Sequence, residues 1–207
     1  RNTFFNDNGA GTWLTRDGQD NLRYARNLFR WLAFGDEPAA ALGGEPRKWH
    51  DVELTFAGPY TFEQDDPNPF LDYRLDVTFV HPATGTELTA PGYFAADGNA
   101  AETSAVAGDR WRVHFAPPLE GIWQWEADFR TGTEAAIADD PSPFPETDFD
   151  GLTGQFEVLG TDKAPPDNRA RGLLQYVGER YPRYAETGEY FIKGGPGSPE
   201  NLLAYAD

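Results

Sequence analysis

Arg110–Phe129 reads RWRVHFAPPLEGIWQWEADF, two runs of alternating polarity joined by Pro117-Pro118 and Gly121. Trp111, Val113 and Phe115 share one face of the first run. Trp123, Trp125, Ala127 and Phe129 share one face of the second. The opposite faces carry Arg112 and His114, then Gln124, Glu126 and Asp128. A period of two predicts strands, and one apolar face against one polar face predicts an antiparallel sheet packed on a core on one side only. Burying each large apolar side chain stabilises by roughly 1.5–3 kcal/mol, so this pair is expected to centre a β-sandwich, with Trp111, Val113, Phe115, Trp123 and Trp125 between the sheets.

Working outward, the same pattern recurs on both sides. Val52, Leu54 and Phe56 alternate after His50, Gly58-Pro59 interrupts, and the polar loop Asp65–Pro69 precedes a second alternation at Tyr73, Leu75, Val77 and Phe79. His81-Pro82 to Gly85 predicts a hairpin turn into a strand over Glu87–Pro91. Beyond the central pair lie an acidic loop, Thr131–Asp150, broken by Pro141, Pro143 and Pro145, and a closing strand over Gly154–Leu159. Residues 48–160 therefore read as one β domain.

The flanks differ. In residues 1–47 an Asn-, Asp- and Gly-rich loop leads to Leu22, Ala25, Leu28 or Phe29, and Leu32, the spacing of one helical face, with Asp20 as N-cap and Gly35 as stop. That helix either docks on the sandwich or ends a preceding domain, and Phe34–Arg47 follows as a Gly-, Ala- and Pro-rich linker. In residues 161–207 the Pro-rich stretch Thr161–Pro166 leads to a hairpin, with Leu174, Tyr176 and Tyr181 running toward a turn at Thr187-Gly188. The chain returns through Tyr190–Lys193 into Gly-Gly-Pro-Gly and Ser198-Pro199-Glu200. Strand, glycine turn, then Ser as N-cap with Pro at the first helical position is the order of a βα unit.

Composition removes several functional classes. Seventeen Lys and Arg stand against 34 Asp and Glu, a formal net charge of -17. Such a surface repels phosphate backbones and argues against nucleic acid as a partner. No Cys is present, so there is neither a disulfide framework nor thiol chemistry. No stretch reaches the roughly 20 apolar residues of a membrane span. The first residue is Arg1 and there is no Met, so the chain is expected to be processed, trimmed or part of a longer one, and it carries no signal-peptide pattern.

Few residues invite chemistry. Asp65, Asp66, Asn68 and Asp72 could gather oxygens around Ca²⁺, but they lack the EF-hand order and its glycine, so an ordinary solvated turn is the favoured reading. Asp97, Asn99 and Glu102, in the run Pro91–Thr103 (PGYFAADGNAAET), could hydrogen-bond a sugar or brace a neighbouring domain. The plainer reading, and the favoured one, is that they satisfy their own backbone in a tight turn. His50, His81 and His114 lack ligand spacing, no phosphate-cradling glycine loop follows a strand, and Ser104 and Ser142 lack a nucleophile elbow. No residue is assigned as catalytic or metal-binding, and no cofactor is expected.

From Trp49 to Asp207 the chain resembles the immunoglobulin-like N-terminal domain of unknown function that precedes a glycoside-hydrolase-like TIM barrel in secreted bacterial proteins. The resemblance rests on Trp49-His50 with Leu54-Thr55-Phe56 and Gly58-Pro59, on Asn68–Leu75 (NPFLDYRL), and most specifically on Pro91–Thr103. Arg171-Gly172, Gly188–Phe191 and Lys193-Gly194-Gly195 with Ser198–Asn201 resemble the junction to the barrel. It implies a mainly β, immunoglobulin-like antiparallel sandwich with an N-terminal helix and a C-terminal hairpin leading into a (β/α)8 barrel beyond Asp207. It also implies an extracellular or periplasmic place, Lys193, Glu200 and Asn201 as contacts at the junction, and the barrel as partner in the same polypeptide. In such barrels chemistry sits at the C-terminal ends of all the strands, and a glycosidic bond must be flanked by two carboxylates about 5–9.5 Å apart. The chain itself is therefore expected to be a non-catalytic positioning module of a carbohydrate-processing protein. The alternative is a stand-alone carbohydrate-binding or adhesion module with polysaccharide as partner, which would need aromatic rings exposed as a stacking platform.

Overall fold

The computed structural model describes residues 40–192 and 194. The helix expected over residues 20–35, together with Lys193, Glu200 and Asn201, lies outside them. The described chain is mainly β. The strands of its main sheet are β1 (Ala40–Gly44), β2 (Val52–Phe62), β3 (Tyr73–His81), β4 (Thr86–Phe94), β5 (Ala107–Phe115), β6 (Gly121–Thr131) and β7 (Thr153–Val158), with one turn of α-helix, α1 (Ala100–Thr103), between β4 and β5. All seven pair antiparallel in the order β1-β2-β5-β4-β3-β6-β7.

The sheet is continuous because β4 changes partner along its length. Thr86–Pro91 pair with β3, and Gly92–Phe94 pair with β5. Around this pivot the sheet curls until its two ends meet. Arg47 forms a parallel bridge with Leu159, the Lys48 N–H donates to the Leu159 carbonyl at 2.8 Å, and the Leu159 N–H donates to the Pro46 carbonyl at 3.0 Å. Two stretches differ from the sequence reading. Residues 40–44, read as linker, form an edge strand in register with Val52–Phe56, because a small-residue segment beside an open edge gains a full ladder of backbone hydrogen bonds. Gly58-Pro59 does not end β2. The strand continues to Phe62 through a register shift between Ala57 and Thr61, the bulge that lets a proline sit in a strand.

Alternation puts the apolar faces inside the curl. Trp111, Val113, Phe115, Trp123 and Trp125 are all buried, as the central stretch predicts, together with Leu54, Phe56, Val77, Phe79 and Phe129. Rings from the two limbs meet across the interior: Phe79 stacks on Phe115 with centroids 4.0 Å apart, Trp111 lies 4.7 Å from Phe129, and Phe56 meets Trp125 edge-on at 5.7 Å. The acidic loop contributes as well. Phe149 enters the core and lies parallel between Phe56 and Phe129, at 4.6 and 4.4 Å.

A two-stranded ladder comes next, β8 (Leu174–Gln175) with β9 (Arg183–Tyr184), extended by a bridge from Arg183 to Tyr190. A polar clasp fastens it to the start of the sheet. Glu186 accepts from the Lys48 ammonium at 2.7 Å and from the Trp49 indole N–H at 2.9 Å. These two donors, Lys48 foremost, hold the Glu186 carboxyl below its ordinary value. Gly172 lets the chain pass this close: it has φ +85°, and a Cβ there would lie 2.8 Å from the Glu186 nitrogen.

Candidate functional site

The Pro91–Thr103 run starts in β4 and then turns. Ala95 and Ala96 are buried, and Ala96 takes a left-handed φ of 49° because the backbone of Gly108 passes against it, where a Cβ would meet the Ala96 carbonyl oxygen at 2.0 Å. Asp97, exposed, accepts the Asn99 N–H at 2.8 Å and the Thr103 hydroxyl at 2.7 Å, and these bonds, the hydroxyl first, hold its carboxyl below the ordinary value. Asn99 precedes α1 without a capping bond from its side chain, and Glu102 is exposed on that turn. Asp97 and Asn99 thus form an Asx turn, and Glu102 joins them only through its backbone N–H, which donates to the Asn99 carbonyl at 2.9 Å. Asp65 and Asp72 are engaged similarly: Asp65 accepts from the Phe62 N–H, and Asp72 from the N–H groups of Asn68 and Glu134, at 2.8–2.9 Å, while Asp66 is exposed.

The three histidines lie apart. His81 is buried beside Trp123 and bonds Thr84 and the Glu120 carbonyl. His114 Nδ1 lies 3.0 Å from the Asp51 carboxylate and its Nε2 3.1 Å from the Tyr93 hydroxyl, each within hydrogen-bond distance. His50 stands between Glu45 and Thr161: Nδ1 donates to the Glu45 carboxylate, and Nε2 lies 2.9 Å from the Thr161 hydroxyl. Hydroxyl, imidazole and carboxylate in line have the connectivity of an acyl-transfer relay. Here, however, the imidazole is fully buried and the Thr161 oxygen already accepts the Lys163 N–H. Lys163 and Arg169 add ion pairs to Glu45. The group works as a clasp between the start of the sheet and the chain leaving it.

A cleft opens at the β4 pivot. The β3–β4 ladder ends at Asp76 and Pro91, β4 crosses to β5 at Gly92, and the strands diverge. The resulting wedge, about 260 Å³, has Leu75, Phe94 and Trp111 as its deep residues and Phe70, Tyr93 and Ile137 as exposed ones. Arg74 is held there by its Nε donating to Asp76 at 2.6 Å and by Nη1 donating to the Ala138 carbonyl. Gly92 permits the crossing, since a Cβ would stand 2.4 Å from Leu75 Cδ2. A second, apolar cleft of about 370 Å³ lies under the C-terminal ladder, lined by Trp49, Leu173, Leu174, Tyr184 and Phe191. Sequence reasoning singles out neither. The signal for the first is Pro91-Gly92 inside an alternating strand, a pair that marks a close backbone approach.

Residues 45–130 match the family of a domain of unknown function, DUF5060. No curated protein matches the chain. Among solved structures it is similar to a candidate glycoside hydrolase from Bacteroides vulgatus ATCC 8482, at 22% identity and a TM-score of 0.45, over 70% of this chain. The matched region makes up 20% of that protein. Among the described residues, no helix is long and apolar enough to cross a membrane, and no three His, Asp or Glu side chains are grouped to hold a metal.

Proposed function

We propose that the chain is a non-catalytic β module that packs against and positions a glycoside-hydrolase-like barrel downstream of it in the same polypeptide, outside the cell or in the periplasm. One observation carries the reading: the C-terminal ladder, though fastened to the sheet, leaves large apolar side chains in water. Tyr176 is 82% exposed and Ile192 71%, with Leu173, Leu174, Val177, Tyr181 and Tyr190 also exposed. So many apolar groups within twenty positions form the kind of patch that marks a protein contact, and a short two-stranded ladder needs packing on another element to be stable. The junction residues of the resemblance fall within and just beyond this segment. Strand order supports the immunoglobulin-like reading of the curled sheet: β1-β2-β5-β4 on one limb and β3-β6-β7 on the other is the ABED and CFG arrangement. The Trp residues that a stand-alone sugar binder would display, 111, 123 and 125, lie in the core instead.

The test is made on the chain joined to its natural downstream sequence. Tyr176→Asp with Ile192→Asp should leave the melting of the β module unchanged and uncouple it from the downstream domain, raising protease cleavage after Ile192. Residues 1–207 alone should hydrolyse none of a panel of polysaccharides. Turnover by this chain that one carboxylate substitution abolishes, or unchanged cleavage in the double variant, would overturn the proposal.

A further inference from the structure

We propose that the cleft at the β4 pivot binds one pyranose ring of a neutral carbohydrate. Its volume, about 260 Å³, sits just below the roughly 300–1,000 Å³ of drug-sized ligand sites, which suits a single ring rather than a chain. Arg74 and Asp76 present a donor and an acceptor side by side, with side chains about one quarter exposed. Adjacent sugar hydroxyls each donate and accept, and so match such a pair: the guanidinium has five N–H donors of which two are occupied here, and the carboxylate keeps spare lone pairs. Being held by Asp76 and the Ala138 carbonyl, Arg74 needs little reordering when a ligand arrives.

The apolar part of the site fits the other side of a sugar. Phe70, Tyr93 and Ile137 are exposed among the lining residues, and the C–H face of a pyranose packs on such surfaces. Tyr93 is fixed as well, its hydroxyl bonded to His114 and its ring parallel to the imidazole at 5.9 Å. Charge selects a neutral ligand. Arg74 is balanced by Asp76, and the chain as a whole carries -17, so an acidic sugar meets repulsion without a free cation to offset it. The proposal stands on the cleft alone and is independent of the domain contact at the C-terminal ladder.

The experiment is an amide and arginine Nε correlation spectrum of the ¹⁵N-labelled full chain, titrated at millimolar concentration with methyl glycosides of glucose, galactose, mannose and xylose, and with glycerol and a methyl glucuronide as controls. At least one neutral glycoside should shift Arg74 Nε and the amides of Phe70, Tyr93 and Ile137. Phe70→Ala, at an exposed loop position, should weaken that binding about three- to tenfold while the rest of the spectrum is retained, and Arg74→Lys should weaken it too. The glucuronide should bind more weakly than the matching glucoside. No shift with any glycoside, equal shifts with glycerol, tighter binding of the glucuronide, or wild-type binding by both variants would overturn the site.

Discussion

Between Val52 and Val158, large apolar side chains at alternate positions turn inward and meet ring against ring. Between Leu173 and Ile192 large side chains, Leu173, Leu174, Tyr176, Val177, Tyr181, Tyr190 and Ile192, turn outward on a ladder only two residues deep, with Tyr184 buried beneath them. The difference is one of available partners. Seven strands can curl until their apolar faces cover each other, whereas β8 and β9 make a two-residue ladder, extended by the Arg183–Tyr190 bridge and fastened to the start of the sheet by the Glu186 clasp. A face that cannot close on itself is where a partner gains most by binding. The first region thus specifies the fold, and the second is the surface on which the proposed function rests.

The largest expected effect sharpens the first half of this comparison. Trp123→Ala and Phe149→Ala should each lower stability by about 3–5 kcal/mol through cavity formation, measured by urea unfolding. A change under about 1 kcal/mol for Phe149→Ala would remove that ring from the core and open the end of the curl. Gly92→Ala comes next, at about 1–3 kcal/mol of overpacking against Leu75. If it were neutral, β4 would not cross between its partners as tightly as described. In the second region Tyr176→Asp should change the stability of the isolated chain by no more than about 0.5 kcal/mol. A loss comparable to that of Trp123→Ala would show the ring to be covered within this chain and would erase the contrast.

The smallest effect concerns the clasp joining the regions. Glu186 is held below its ordinary value of 4.5 by Lys48 and Trp49. A carboxyl with a depressed folded value contributes stability that is fully present above its unfolded value and is lost as pH falls through the folded one. The Trp49 indole N–H resonance should therefore stay constant above pH about 4.5 and move as the pH is lowered further, while Trp123, bonded to the Leu119 carbonyl, should not respond. Glu186→Gln should abolish the movement. A Trp49 signal indifferent to acid would mean that the ladder is held by packing alone.

The core is legible in the sequence because alternation is a local signal. Trp111 to Phe129 announce their burial within a few residues of one another, and the structure buries them. Phe149 is not legible: it is a lone aromatic in an acidic loop, and only the position of Phe56 and Phe129 in space makes it a core residue. The edge strand Ala40–Gly44 escapes a sequence reading for a related reason, since its pairing is set by the edge β2 leaves open and not by its own side chains. Of the candidate site residues, Asp97 reads as a turn-former from Asp-Gly-Asn. The Arg74–Asp76 cleft does not, because it exists only where two ladders diverge.

Hydrogen exchange distinguishes a finished β module from one that awaits a partner, when residues 1–207 alone are compared with the same chain extended by its natural downstream sequence. Phe56, Trp111 and Trp123 should show identical, strong protection in both. Protection of Tyr184–Ile192 should be weak in the shorter chain and rise at least about tenfold in the longer, because covering an exposed ladder raises the free energy of its local opening. Equal and strong protection of Phe191 and Ile192 in both chains would contradict the contrast between the two regions, placing the ladder within a module that is complete on its own.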